Sequence, residues 1–181
     1  MKAEKILTGM IICTVLVITG CSKDKEEGNY FIYDGVEYPL NAGVMQFYGQ
    51  LSEGAGFNFD ISLFSSDITF DSDLGGFDGT GHMMYFEMFS SAAAELANGD
   101  YIFDLLASEN PLTFDKGHFG MNLNFDIPNG FFFNIASGKV TVSGSGSEYE
   151  FSLDGFTLEG EAVTGHFKGV LSYYDWSSGK K

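Results

Sequence analysis

The sequence contains no arginine, and its nine lysines stand against 25 acidic residues. The formal net charge is −16 at pH 7, so the chain repels phosphate backbones and anionic lipid headgroups. Arginine is also the side chain that binds phosphates through a two-pronged fork, and this chain cannot offer one. The composition therefore argues against nucleic acid as a partner.

Cysteine is almost as scarce. Cys13 and Cys21 both lie near the amino terminus, so the rest of the chain has neither a disulfide nor a thiol nucleophile. The GxSxG, GxxxxGKS/T, GxGxxG and HExxH motifs of common enzyme classes are missing too. We expect a protein that is not an enzyme and has no cofactor. A hydrolase that uses two of the many carboxylates is an alternative, because glycoside hydrolysis needs only such a pair.

The amino-terminal residues show the succession of regions found in a secretory signal peptide. Two lysines precede a largely apolar run over residues 6–18, which is too short for a stop-transfer helix of roughly 20 residues. The run ends in the motif ITGC at residues 18–21, which resembles the lipobox of bacterial lipoproteins. The resemblance implies cleavage between Gly20 and Cys21, a diacylglyceryl group on the Cys21 sulfur and usually a third acyl chain, such as palmitate, on its amino group. Two or three acyl chains anchor a protein stably, whereas one binds only marginally.

This resemblance divides the chain into four parts. Residues 1–20 are the signal peptide, residues 21–29 the lipidated cysteine and a tether, residues 30–176 a single β-domain and residues 177–181 a tail. The tether is expected to be flexible, because residues 22–29 are mostly charged and include no apolar side chain.

The residues after the cysteine bear on location. In the lipoprotein class an aspartate at this position is associated with retention at the inner membrane, and this chain has Ser22 there. The acidic tether resembles the export signal of surface lipoproteins of the Bacteroidetes type. Both resemblances imply a cell-envelope protein of the outer membrane, surface-exposed or periplasmic, that contacts the membrane only through its lipid anchor.

From Tyr30 onward, apolar and polar residues alternate with the period of β-strands. The alternation is clearest over residues 57–63, 119–127 and 149–153. Asp-Gly and Asn-Gly dipeptides suited to tight turns recur among these runs. They are Asp34-Gly35, Asp78-Gly79, Asn98-Gly99, Asn129-Gly130 and Asp154-Gly155. The pattern predicts an all-β fold, an antiparallel sandwich or barrel of about nine or ten strands.

One short helix at most is expected, over residues 91–97, with Ser91 as the N-cap and Gly99 just past the end. Residues 135–171 resemble the closing strands of uncharacterised Bacteroidetes-type lipoproteins. Those proteins are all-β, and some of them are calycin-like barrels. The resemblance implies fold and location and says little about activity.

Two metal sites are conceivable from side-chain types. Asp71, Asp73 and Asp78 lie in a glycine-containing stretch that partly follows a calcium loop, although the position that requires a bidentate glutamate holds His82. An acidic surface turn is the favoured interpretation, with weak calcium binding as the alternative. His82, His118 and His166 each follow a glycine near an expected strand start, so a zinc site at one rim is a further hypothesis.

Aromatic residues are the most distinctive component, with 19 Phe, nine Tyr and one Trp. Most are expected to pack in the core, but a run of three phenylalanines must point rings to both faces of a strand. The binding candidates are Phe131, Phe132, Phe133, Tyr173, Tyr174 and Trp176.

Three classes of function follow. The leading prediction is a non-enzymatic envelope lipoprotein whose β-domain binds a glycan, a small apolar ligand or a protein. The second is a fimbrial or other assembly subunit that joins its neighbours by strand addition. Fimbrillins that mature by Arg-specific cleavage would need the arginine that this sequence lacks. The third is the hydrolase.

Overall fold

A computed structural model of the chain describes residues 28–127 and 129–179. The predicted signal peptide, Cys21 and most of the predicted tether lie outside these residues. The described part is all-β, which confirms the predicted class, and it has eleven strands. The strands are β1 (Tyr30–Tyr33), β2 (Val36–Pro39), β3 (Ala42–Gln50), β4 (Phe57–Phe64), β5 (Ile68–Asp71), β6 (Gly76–Ser90), β7 (Gly99–Phe103), β8 (Thr113–Asn124), β9 (Asn129–Ser145), β10 (Glu148–Thr157) and β11 (Ala162–Asp175).

Eight strands close into a barrel. Their order is β10-β9-β7-β8-β6-β4-β3-β11, and the pairing of β11 with β10 completes the circle. The β1–β2 hairpin extends from β11, and β5 pairs with β6 away from the barrel. Most pairs are antiparallel as expected, but β11 runs parallel to β3 and β7 runs parallel to β8. No helix that could span a membrane occurs in the described part of the chain.

The barrel interior is filled with apolar side chains. Alternation places Phe59, Ile61 and Leu63 of β4 inward, and Phe151 and Leu153 of β10 meet them from other parts of the wall. The void found inside measures only about 10 Å³. That is close to the smallest volume that holds one water molecule, so this void between the described core side chains has no room for a ligand.

The expected helix is not formed. Residues 91–98 make an irregular loop between β6 and β7. The Ser90 hydroxyl donates to the Glu95 carbonyl at 2.8 Å and accepts from the amides of Ala92 and Ala97. These bonds compete with helical hydrogen bonds, and Leu96 is buried against the core. The local composition favours a helix, but the Ser90 hydrogen bonds and the burial of Leu96 determine the conformation instead.

The Asp-Gly dipeptides play two different roles. Asp34 and Gly35 form the predicted hairpin turn between β1 and β2, with φ of +51° and +71°. Asp154 and Gly155 instead lie within β10, where Gly155 pairs with Gly138 of β9. A Cβ on Gly138 would lie 2.3 Å from the Asp154 carbonyl oxygen. Glycine is therefore needed here for close strand approach, and the turn expected at this dipeptide was wrong.

A hairpin forms a second layer on the outside of the barrel. It consists of β5 and the first residues of β6, and we call residues 68–79 the flap. The Phe70 ring packs on Tyr174 of β11 at 5.1 Å, and the Phe77 ring packs on Phe64 of β4 at 5.5 Å. Gly79 permits the bend at the base of the flap, because its φ is +92° and a Cβ would lie 2.2 Å from the Asp67 carbonyl oxygen.

Replacing Gly138 by alanine is expected to destabilise the barrel by roughly 2 to 4 kcal/mol. The new methyl group would clash with the β10 backbone, and the φ of +120° disfavours any L side chain. Denaturant unfolding measures the effect. Gly76→Ala is the matched control, since nothing lies within 4 Å of its added Cβ. Equal stability of the two variants would contradict the close-approach explanation.

Candidate functional site

The outer face of five neighbouring strands, β3, β4, β6, β8 and β9, places polar side chains in two lateral rows. The first row runs from Gln46 on β3 through Asp60 and Glu87 to Lys116 on β8. We call these four residues the polar row. Side chains two residues apart on a strand share a face, so a second row lies beside it on the same surface. That row consists of Ser62, Tyr85, His118 and Asn134.

A groove of about 410 Å³ opens on this face beside the flap. We call it the Phe132 groove, because the Phe132 side chain on β9 is 51% exposed there. Its apolar lining combines a ring from the flap with side chains of the barrel wall. The lining residues are Phe77, Met83, Tyr85, His118, Phe125, Phe132 and Asn134.

Histidine and asparagine side chains form a hydrogen-bonded pair in this lining. His118 Nδ1 lies 2.7 Å from Asn134 Oδ1. An amide oxygen only accepts, so Nδ1 carries the proton and donates. The Tyr85 ring stacks on the imidazole at a centroid distance of 5.8 Å. In the neutral ring Nε2 is left as an acceptor, and the Asn134 amide group is left as a donor.

A second groove, of about 440 Å³, lies at the tip of the flap. We call it the Trp176 groove. Asp71 Oδ1 shapes the tip by accepting from the amides of Asp73 and Leu74 at 2.8 and 3.1 Å. The tip then stands opposite side chains of β3 and the residues after β11. The lining residues are Gln46, Tyr48, Asp73, Leu74, Gly75, Trp176 and Gly179.

The polar row contains a carboxyl group, that of Asp60, with an unusually high pKa. Burial, together with the neighbouring Glu87 carboxylate, raises the pKa of Asp60 to about 7. A hydrogen bond from Tyr85 and the charge of Lys116 oppose this shift. Lys116 forms an ion pair with Glu87, and Asn58 Nδ2 also donates to Glu87 at 3.0 Å. Near neutral pH the row therefore carries less negative charge than its two carboxyl groups suggest.

A wider depression of about 610 Å³ lies where residue 28 joins the barrel. Its charged side chains already pair with one another. His166 Nε2 and Lys168 Nζ both lie 3.2 Å from the Glu150 carboxylate, and His166 Nδ1 lies 3.1 Å from the Gly28 carbonyl oxygen. These contacts fasten the start of the domain to β10 and β11, and they leave fewer polar groups for a ligand.

The predicted aromatic candidates are dispersed by the fold. Phe132 and Trp176 each line a groove. Phe133 packs in the interior, at a centroid distance of 5.3 Å from Phe119. Tyr174 supports the flap, and Tyr173, 45% exposed, lines neither groove. The side chain of Phe131 lies outside the described residues.

The metal candidates are also spread out. Asp71 and Asp73 sit at the flap tip, and Asp78 lies on β6 opposite Thr69. Within residues 28–127 and 129–179, no group of three or more His, Cys, Asp or Glu side chains is placed to hold a metal ion. Weak calcium binding by the flap therefore stays a prediction.

The zinc hypothesis fails because the three histidines are not brought together. His82 packs on the Tyr38 ring at 5.0 Å and accepts from the Asn122 amide. His118 bonds Asn134, and His166 faces Glu150. Each has its own partners in the fold.

The sequence did not single out several residues of this outer face. Asp60 and Tyr85 become neighbours only through the register of β4 and β6. Phe125 was expected to share a face with Phe119, but the strand is irregular between Met121 and Asn124. Phe125 consequently packs on the outside with the flap. The alternation of β4 was the one available signal, since it places Asp60 opposite the core residues.

Comparison with known proteins gives no match. No protein-family model, curated protein or solved structure matches this chain. Function therefore has to be inferred from the surface itself.

Replacing Asp60 by asparagine is expected to remove part of the pH dependence of stability. The folded pKa of Asp60 is about 7, above its ordinary value of 3.8, so the folded state binds the proton more tightly than the unfolded state. This group thus stabilises the fold below about pH 4 and loses that contribution as the pH rises to about 7, a change of roughly 2 to 4 kcal/mol.

Urea unfolding at several pH values measures the difference. Asp60→Asn should lose less stability than the native chain between about pH 4 and 7 and should be the more stable protein at about pH 8. Asp154→Asn, on an exposed position of β10, is the control and should follow the native profile. Parallel pH profiles for Asp60→Asn and the native protein would contradict the assigned acidity.

Proposed function

We propose that the protein is a lipid-anchored, non-enzymatic binding protein of the cell envelope and that its outer face binds a neutral glycan. The observation that carries the proposal is the contrast between inside and outside. The interior void is about 10 Å³, whereas the outer face has two open grooves that combine rings with hydrogen-bonding side chains. Ligand recognition on this domain therefore belongs to the outer face.

The Trp176 groove has the mixture of groups that a sugar requires. A sugar presents apolar C–H faces together with hydroxyl groups, so aromatic rings and polar side chains are needed side by side. Tyr48 and Trp176 supply the rings, Gln46 supplies an amide, and Asp73 supplies a carboxylate.

The two grooves lie on one continuous surface. Gln46 lines the Trp176 groove and pairs with Asp60 on the next strand. Asp60 in turn interacts with Tyr85, which lines the Phe132 groove. Two strand spacings separate Gln46 from Tyr85, about 10 Å. An extended chain of sugars fits such a surface better than an isolated small molecule does.

Charge favours a neutral ligand. The chain carries a net charge of −16, and Lys116 beside the grooves is already paired with Glu87. The protein would repel an anionic polymer, and the sequence has no arginine that could offset this repulsion.

A glycoside hydrolase is the second candidate, because Asp60 has the raised pKa of a general acid and stands beside Glu87. Both carboxyl groups lie away from the groove linings, and Glu87 is held by Lys116 and Asn58. Binding without cleavage is therefore the better supported function. The appearance of reducing ends from a bound glycan, abolished by Asp60→Asn, would favour the hydrolase instead.

Assembly by strand addition has weaker support. Among the described strands, β2 and β5 each pair on one side only, and each spans just four residues; β2 also includes Glu37 and Pro39. Short edges with charge and proline resist pairing with other chains.

Trp176→Ala is expected to weaken binding of the purified protein to neutral polysaccharides by about tenfold or more, since tryptophan side chains often dominate binding energy. Affinity electrophoresis against a panel of neutral polysaccharides, followed by titration calorimetry, measures the loss. Phe156→Ala removes an exposed aromatic ring that lies outside both grooves, and it should bind normally. Absence of binding to every member of the panel would refute the glycan proposal.

Anchoring rests on Cys21, which lies outside the described residues. Cys21→Ala is expected to abolish incorporation of labelled palmitate and to prevent the size shift of signal cleavage. Cys13→Ala is the matched control and should be processed and labelled normally. A Cys21→Ala protein with unchanged processing and membrane association would show that the chain is not a lipoprotein.

A further inference from the structure

The apolar part of the Phe132 groove is larger than a sugar hydroxyl needs. Phe77, Met83, Phe125 and Phe132 form its walls, and the Phe132 ring is half-exposed. Its volume of about 410 Å³ falls within the range of small-ligand pockets. A ligand that covers these walls must carry an apolar group of its own.

The polar part of the groove presents one acceptor beside one donor. The Tyr85 hydroxyl is engaged by Asp60. The hydrogen bond between His118 Nδ1 and Asn134 Oδ1 fixes the orientation of both side chains. His118 Nε2 then accepts and Asn134 Nδ2 donates. A secondary amide has the complementary pair, an N–H that donates and a carbonyl that accepts.

We propose that the Phe132 groove is the subsite for the N-acyl group of an amino sugar. The acyl methyl packs on Phe132 and Met83, and the amide is hydrogen-bonded by Asn134 and His118. This inference rests on the proposed glycan function and deepens it by naming the sugar class.

Other ligand chemistries leave part of the groove unused. A sugar with hydroxyl groups alone would leave the apolar walls uncovered. A purely apolar ligand would bury the remaining acceptor of His118 and the remaining donor of Asn134 without partners, which costs free energy. A carboxylate or phosphate would be repelled by a protein of net charge −16, and Lys116 is already paired with Glu87. The N-acyl group covers the apolar walls with its methyl group and gives His118 and Asn134 hydrogen-bond partners with its amide.

Two oligosaccharides that differ only in this group test the inference. Tetra-N-acetylchitotetraose and cellotetraose share a β-1,4-linked glucose backbone, and the first has an acetamido group where the second has a hydroxyl. The full-length purified lipoprotein in detergent is titrated with each by calorimetry. We expect the N-acetylated oligomer to bind about tenfold more tightly or better.

Two groove variants and one control assign the preference to residues. Asn134→Leu keeps the approximate size but removes the amide, so it should abolish the preference for the N-acetylated oligomer over cellotetraose. Phe132→Ala should weaken the N-acetylated oligomer more than cellotetraose. Both side chains are exposed, so the fold should survive these changes. Asn110→Leu, in the loop before β8, should behave as the native protein.

The outcomes separate this inference from the proposed function. Equal binding of the two oligomers, lost in Trp176→Ala, would overturn the N-acyl subsite and leave glycan binding standing. A preference that persists in Asn134→Leu would also overturn the subsite, because it would arise elsewhere. Absence of binding to both oligomers and to the whole polysaccharide panel would overturn both proposals.

Discussion

The structure depends on the closure of the barrel around a solid apolar core. β11 makes this closure, because it pairs with β10 along one edge and with β1 and then β3 along the other. Closure removes most of the free strand edges that could pair with other chains. It also directs one side chain of every alternating pair inward, where the aromatic and aliphatic residues fill the space. The void among the described core residues is only about 10 Å³, so the proposed binding surface lies on the outer wall.

The flap makes the outer wall more than a flat polar sheet. Its two phenylalanines, Phe70 and Phe77, bury a second apolar cluster against β4, β6 and β11. A flat sheet would give a ligand little concave surface, whereas a second layer creates grooves along its sides and at its tip. Gly79 at the base of the flap permits the backbone bend that places this layer against the barrel. The candidate site is therefore a consequence of packing between layers.

Electrostatics set the kind of ligand that this wall can accept. Burial of Asp60 in the polar row, and secondly the neighbouring Glu87 carboxylate, raises the pKa of Asp60. Lys116 compensates Glu87 and is not free for a ligand. Neutral hydrogen-bonding groups therefore suit the surface better than anions do, and the aromatic rings supply the apolar contacts.

Local periodicity was enough to determine that the domain is all-β and which residues of β4 and β10 face the core. The hairpin turn at Asp34 and Gly35 could also be predicted from the sequence, because tight turns depend mainly on neighbouring residues. Three features needed the tertiary structure. The loop at residues 91–98 is set by the Ser90 hydroxyl, Gly155 serves strand approach instead of a turn, and the grooves gather residues from β3, β6, β8, β9 and the flap. Alternation tells which face a side chain occupies, but register and layer packing decide which side chains meet, and these are fixed only when distant parts of the chain pair.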